Sequence, residues 1–170
     1  NHIFAQLDLN LAQNESYKSD LSLTVQRTAN DTYFRIHDIN TTLVNAENTN
    51  LKNEINYKYR KNDMYLNVSA SAFEDLREPS NSRYEYIFPN VLFGKFFFSE
   101  KFGTLEFKSN TFYKNHDINK FQTFLTNDIV WSPKSYITKK GFVNTFAGSI
   151  KNNNYEAKNT TGYKNNRVIN

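Results

Sequence analysis

Apolar and polar residues alternate along most of the chain. In HIFAQLDLNLAQ, Ile3, Ala5, Leu7, Leu9 and Leu11 fall on one side, and Gln6, Asp8 and Asn10 on the other. Successive side chains of an extended strand point to opposite faces, so this stretch predicts a two-faced β-strand. A tight connection at residues 14–15 leads into YKSDLSLTVQR. There Leu21, Leu23 and Val25 oppose Lys18, Asp20, Ser22, Thr24 and Gln26, and the two strands make a hairpin. A long polar connection over residues 28–50 holds one apolar island, DTYFRIHDI.

Alternation resumes in LKNEINYKYR with Leu51, Ile55, Tyr57 and Tyr59. It turns at residues 61–63 and returns in MYLNVSASAF with Met64, Leu66, Val68, Ala70 and Ala72 in phase. A fifth strand is expected within residues 84–98, where Tyr84, Tyr86 and Phe88 precede Phe93, Phe96, Phe97 and Phe98. Pro89 has no N–H for a β-ladder, so it belongs at a bulge, an edge or a strand start. SEKFG then turns the chain, with Gly103 free to take a positive φ. TLEFKSNTFY sets Leu105, Phe107 and Tyr113 against Glu106, Lys108 and Asn110.

Two more strands are expected, KFQTFLTNDIVW with Phe121, Leu125, Ile129 and Trp131, and GFVNTFAGSIK with Phe142, Phe146 and Ile150. Asn152 to Asn154 then read as loop, with a further strand starting at Arg167. No segment predicts a helix. The result is an all-β, antiparallel up-and-down meander of about eight strands, each near the ten residues that cross a bilayer. Connections at 14–15, 61–63 and 99–103 are short, whereas 28–50 is long and 75–82 intermediate. Outer-membrane barrels have that asymmetry, which residues 115–118 and 132–140 do not follow.

Composition sharpens the choice of solvent. The chain is 38% hydrophobic and 16% aromatic, yet its mean hydropathy is only -0.72. Interleaving apolar with polar residues lowers that mean without interrupting an apolar face. Strands of a soluble sandwich are commonly about five or six residues long and are punctuated often by Gly and Pro. This chain has Gly 5 and Pro 3, which favours long hairpins in the wall of a transmembrane outer-membrane β-barrel. The apolar rows then face lipid, aromatic residues form girdles near strand ends, and the polar rows line a wet interior.

The net charge of +4 comes from scattered cations, with no dense basic run of the kind that binds nucleic acid. With Cys 0, no thiolate site or disulfide framework is available. His2, His37 and His116 have no partners at a catalytic or metal-binding spacing, so no enzyme activity, cofactor or metal is expected. The pattern starts and stops in mid-phase, and residues 1–170 are expected to form a single segment of a longer barrel, truncated at both ends.

Several landmarks resemble LptD, the lipopolysaccharide-assembly protein family of the Gram-negative outer membrane. DLSLTVQRTANDTYFRIHDI resembles its strand-plus-loop segment, through Asp31, Tyr33 and Phe34. SAFEDL followed by SRYEYIFPNV resembles the next landmark, through Phe73, Glu74, Asp75, Leu76, Arg83, Tyr86 and Pro89. FGTLEFKSN and TNDIVWSPKSYITKKGF are similar to the strands that follow, and the succession covers roughly residues 16–150.

The resemblance implies part of a C-terminal barrel in the cell outer membrane that moves lipopolysaccharide into the outer leaflet. It also implies an LptE-like plug lipoprotein inside the barrel and outer-membrane lipid around it. The family's periplasmic jellyroll domain and lateral-gate strands have no counterpart here. On this reading Gln6, Asp8, Asn10, Asp20, Ser22, Gln26, Glu106, Lys108 and Asn110 face the lumen. A generic porin or receptor barrel shares every alternation argument, and a secreted β-rich adhesin module is the soluble counterpart.

Overall fold

A computed structural model describes residues 2–14, 16–78, 82–116, 120–159 and, as backbone, 167–169. Eight long strands form in chain order. They are β1 (Ile3–Gln13), β2 (Tyr17–Arg27), β3 (Asn50–Lys61), β4 (Met64–Asp75), β5 (Tyr84–Ser99), β6 (Gly103–His116), β7 (Lys120–Ser132) and β10 (Gly148–Lys158). Between β7 and β10 lies a small hairpin of β8 (Tyr136–Ile137) and β9 (Val143–Asn144), and a short β11 (Arg167–Ile169) follows β10. The main sheet is a nine-stranded antiparallel meander, β1-β2-β3-β4-β5-β6-β7-β10-β11, and it is open, with β1 and β11 at its edges.

Register carries the alternation from strand to strand. Leu9 pairs with Leu21, Leu21 with Tyr57, Tyr57 with Val68 and Val68 with Val91, so one apolar row crosses five strands. Among the described residues no second layer covers it. Leu7 and Ile55 are each 49% exposed and Ile150 67%, which inverts the usual order of a water-soluble sheet.

Turn chemistry fixes the tight ends. Asn62 and Asp63 alone join β3 to β4, and Gly103 follows the β5–β6 turn at φ 84. A β-carbon at Gly103 would meet Ser132 O at a prohibitive distance, with Pro133 Cα at 2.5 Å, so the position requires glycine on two counts.

Pro89 lies in a bulge. Ile87 and Asn90 of β5 pair with Lys114 and Phe112 of β6, and with Ser71 and Ser69 of β4. Phe88 and Pro89 therefore oppose one residue on each side, and the Phe88–Pro89 bond is cis. The extra residue reverses the phase of β5, as a bulge must. Tyr86, paired with Ala72, thereby joins the side that carries Phe93 and Phe97, whereas Phe96 and Phe98 point to the other.

The structure corrects the expected pattern at three places. Asn152, Asn153 and Asn154 are not loop but the middle of β10, paired with Asn127, Thr126 and Leu125 of β7. Asn is a poor strand former, but a long partner strand supplies the whole ladder and overrides that preference. Phe142 and Phe146 fall outside the long strand, in the β8–β9 hairpin and the link to β10. A four-residue helix, α1 (Tyr33–Ile36), forms within the apolar island after N-cap Thr32.

The short-turn rule also lapses in the second half. Residues 133–147 join β7 to β10 at the end where the other turns are tight.

Candidate functional site

The polar side of the sheet holds the candidate site. One row of register partners runs Asn10, Asp20, Lys58, Asn67, Leu92, Asn110, Thr126 and Asn153, crossing all eight long strands. A second row runs Lys18, Arg60, Tyr65, Gly94, Lys108, Asp128 and Lys151. Side chains two residues apart on one face pair in charge, as in Lys18–Asp20 at 3.4 Å and Lys108–Glu106 at 2.7 Å.

Parts of this side are sheltered from solvent, although Lys18, Lys108 and Lys151 stand open. Ser69 and Gln26 are buried, and Asn56, Asn67, Thr126 and Asp128 each keep a side-chain oxygen out of solvent with no protein partner.

All nine residues expected in a lumen fall on this side by register. Gln6 and Asp8 are hydrogen bonded at 2.7 Å, and Asn10 donates to Gln13 at 2.9 Å. Asp20, Ser22, Glu106, Lys108 and Asn110 follow from the register. Gln26 differs, because its side chain is a structural fastener. Its Nε2 donates to Leu43 O at 3.2 Å, its Oε1 accepts from Lys52 N at 2.8 Å, and its backbone exchanges bonds with Asn53. A strand-end glutamine beside a long connection was legible as polar, but its clamp was not.

That connection, residues 28–49, folds down as a cap on one end of the sheet. Phe34 and Leu51 are 1% and 0% exposed and cluster with Val44 and Leu76; Phe4 and Tyr33 pack against them. The rings of Phe4 and Phe34 lie 5.1 Å apart, and His2 stacks on Tyr33. The apolar island thus supplies the one closed core among the described residues.

The motif residues partly converge on this cap. Arg83 reaches Asp31 across 52 positions with Nη1–Oδ2 at 3.0 Å, and its Nε donates to Glu74 at 2.7 Å. The guanidinium and Glu74 are 16% and 12% exposed, so one planar group ties the cap to the end of β4. The bond to Arg83 holds the Asp31 carboxyl below its ordinary range, and Asp31 in turn raises Arg83.

Phe73 lies under Lys52, 5.9 Å from its Nζ, and Asp75 holds Arg77 at 2.7 Å. Tyr86 stacks with Tyr84 on the apolar side, and Pro89 sits apart in its bulge.

The apolar side is not uniform. Across β6, β7 and β10 its middle is polar, with Ser109, Thr111, Asn127, Asn152 and Asn154 in adjacent register positions. Aromatic residues mark both ends of that side. Tyr113 and Phe121 lie 5.8 Å apart at one end; at the other, Trp131 Nε1 donates to Phe102 O at 2.8 Å beside Phe97 and Leu105.

Among the described residues no group of His, Cys, Asp and Glu could hold a metal ion, and no helix is long and apolar enough to cross a membrane. The arrangement offers an extended polar surface backed by an exposed apolar one. No protein-family model, curated protein or solved structure matches the chain.

Proposed function

We propose that this sheet is part of the wall of an outer-membrane β-barrel, with the leucine-rich rows in lipid and the charged rows around a water-filled passage. The observation that carries this reading is the row of large apolar side chains that stand exposed on one side of the sheet, opposite a side of polar and charged residues. Dimensions agree. Phe121 and Trp131 face the same way on β7 about ten residues apart, roughly 34 Å along the strand at about 3.4 Å per residue. At a tilt of about 40° this spans roughly 26 Å, close to the apolar band of such barrels.

The passage most consistent with the LptD-like landmarks is the one that delivers lipopolysaccharide to the outer leaflet. Its saccharide would travel along the polar rows, beside a plug lipoprotein, while the acyl chains leave through lipid. The convergence of Asp31, Arg83, Tyr33 and Phe34 on one cap supports treating those landmarks as a unit. A porin or receptor barrel uses the same wall. The polar swath at Ser109, Thr111, Asn127, Asn152 and Asn154 favours a second reading, a secreted β-rich module that meets water on both sides.

Trp131 is the single tryptophan and separates the readings. In liposomes the full chain is expected to show Trp131 fluorescence quenched by lipids brominated near the headgroup more than by lipids brominated at the tail ends. Absence of quenching, with solubility free of detergent, favours the secreted module. Depletion in the host then decides the cargo: lipopolysaccharide assembly requires that newly made lipopolysaccharide fail to reach the cell surface.

A further inference from the structure

Trp131 and Gly148 pair directly at the ends of β7 and β10, and between them residues 133–147 leave the sheet as the β8–β9 hairpin. The hairpin fixes its own backbone. Thr138 N donates to Phe142 O at 2.8 Å, Gly141 N donates to Thr138 O at 2.9 Å, and Gly141 takes φ 84 in the turn. Ile137 opposes Val143, and Tyr136 opposes Asn144. Tyr136, Ile137, Phe142, Val143 and Phe146 are all between 63% and 67% exposed. A two-stranded hairpin alone in water is marginal, and large apolar side chains gathered on so short a one form a surface that meets a partner.

Charge and position select the partner. The hairpin carries Lys134, Lys139 and Lys140, and no Asp or Glu occurs between Asp128 and Glu156. The tight turns at the same end differ, since they hold Asp63 and Glu100. Lysine is depleted in protein–protein interfaces. Lysines mixed with aromatic rings suit a lipid headgroup region, where the ammonium reaches water or phosphate and the ring stays at the acyl boundary. The hairpin is rooted in an aromatic band, for Trp131 stands with Phe97, Phe102 and Leu105. Gly103 of that band lacks the β-carbon that would strike Pro133 at the hairpin's base.

We propose that the β8–β9 hairpin docks on a leaflet of anionic phospholipid, with its apolar side chains at the headgroup–acyl boundary and its three lysines on the anionic headgroups. The inference goes beyond the barrel reading, in which the wall needs lipid of no particular charge. It holds equally for a secreted module that settles on a membrane. It also accounts for a long connection at the end where the other turns are tight.

Fluorescence of the full chain tests it, with the probe moved into the hairpin by Ile137→Trp in a Trp131→Phe background. The vesicles are phosphatidylcholine alone or phosphatidylcholine mixed with phosphatidylglycerol, each with lipid brominated near the headgroup. Quenching is expected to be stronger by about twofold or more with phosphatidylglycerol, and the difference should vanish in about 1 M salt, where the Debye length is about 3 Å. Lys134→Gln with Lys139→Gln and Lys140→Gln should remove the difference. Phe142→Ser with Phe146→Ser should lower quenching on both vesicles. These positions lie outside the main sheet, so its far-ultraviolet circular dichroism should be unchanged.

Equal quenching on the two vesicles, or a difference that survives the three glutamines, overturns the proposal. A hairpin probe that is quenched on neither vesicle overturns it as well. On phosphatidylcholine alone, quenching of Trp131 in the unaltered chain reports the wall, so the two readings fail separately. Trp131 quenched there with a silent hairpin probe leaves the barrel without this contact. A hairpin probe quenched only with phosphatidylglycerol, and Trp131 silent on phosphatidylcholine, upholds the contact without the barrel.

Discussion

Single side chains carry the distinction between the two faces. Leu9 and Leu23 stand exposed on the apolar side, whereas Gln6 lies on the polar one. An arginine at Leu9 or Leu23 is expected to cost about 2–4 kcal/mol if that row lies at mid-bilayer, and one at Gln6 well under 1 kcal/mol. Urea titrations of the protein folded in lipid measure both. Equal effects at the two positions count against lipid on the leucine side.

Arg83 gives a second prediction at this scale. Its replacement by alanine leaves Glu74 sheltered without its partner and frees Asp31, a loss of about 1.5–3 kcal/mol for hydrogen bonds to charged groups. The link is also sensitive to pH. The Asp31 carboxyl titrates below its unfolded value, so its contribution is complete above the ordinary carboxylate range, about pH 4, and is lost as pH falls through the lowered value. Protease protection of residues 28–49 should therefore hold from pH 7 to pH 5 and fall in stronger acid. Asp31→Asn should show the weaker protection already at neutral pH.

Among the elements, β5 is the most demanding. The bulge at Phe88 and Pro89 is what places Tyr86 in phase with Phe93 and Phe97. Deleting Phe88 should send Tyr84 and Tyr86 to the polar side. A Trp131→Phe background with Tyr86→Trp reads this directly: lipid-borne bromine should quench the probe in the intact strand and spare it in the deletion.

The β8–β9 hairpin sets the opposite limit. Its Tyr136, Ile137 and Val143 are largely exposed, and Lys139 and Lys140 lie at its turn. Limited trypsin treatment should cut there before any long strand is cleaved.

These elements also explain what the sequence disclosed. Alternation made most of β1 to β4 readable residue by residue, because apolar residues keep to one face and polar residues to the other. Proline marked a break in the ladder, since it lacks a donor, but did not choose a bulge over an edge or a strand start, nor its two-for-one count, which depends on both neighbours. β10 was expected only up to Lys151, and its second half was hidden because its asparagines carry no strand preference and its order comes from β7. The cap was legible as an apolar island, while the Arg83 bridge was not, because no local pattern links positions 52 residues apart. The charged rows were visible as scattered cations, and only register set Lys18 opposite Arg60.

At the scale of the molecule, the sheet has almost no interior of its own. Phe34, Val44, Leu51 and Leu76 close under the cap, and elsewhere the apolar rows lie on a surface. Surroundings must therefore supply much of the stabilisation that a globular protein draws from its core.

The open edge of the meander adds a condition on timing. Along β1, an eleven-residue strand, every second residue turns its N–H and C=O away from β2, with no neighbouring strand among the described residues to receive them. Water meets those groups at little cost, but hydrocarbon charges several kcal/mol for each one left bare. On the barrel reading proposed above, zipping of that rim has to be finished before the strand goes below the headgroups. A chain stalled with the rim unsealed would wait at the surface as a template for its own kind, and the speed of sealing would set how many molecules are lost.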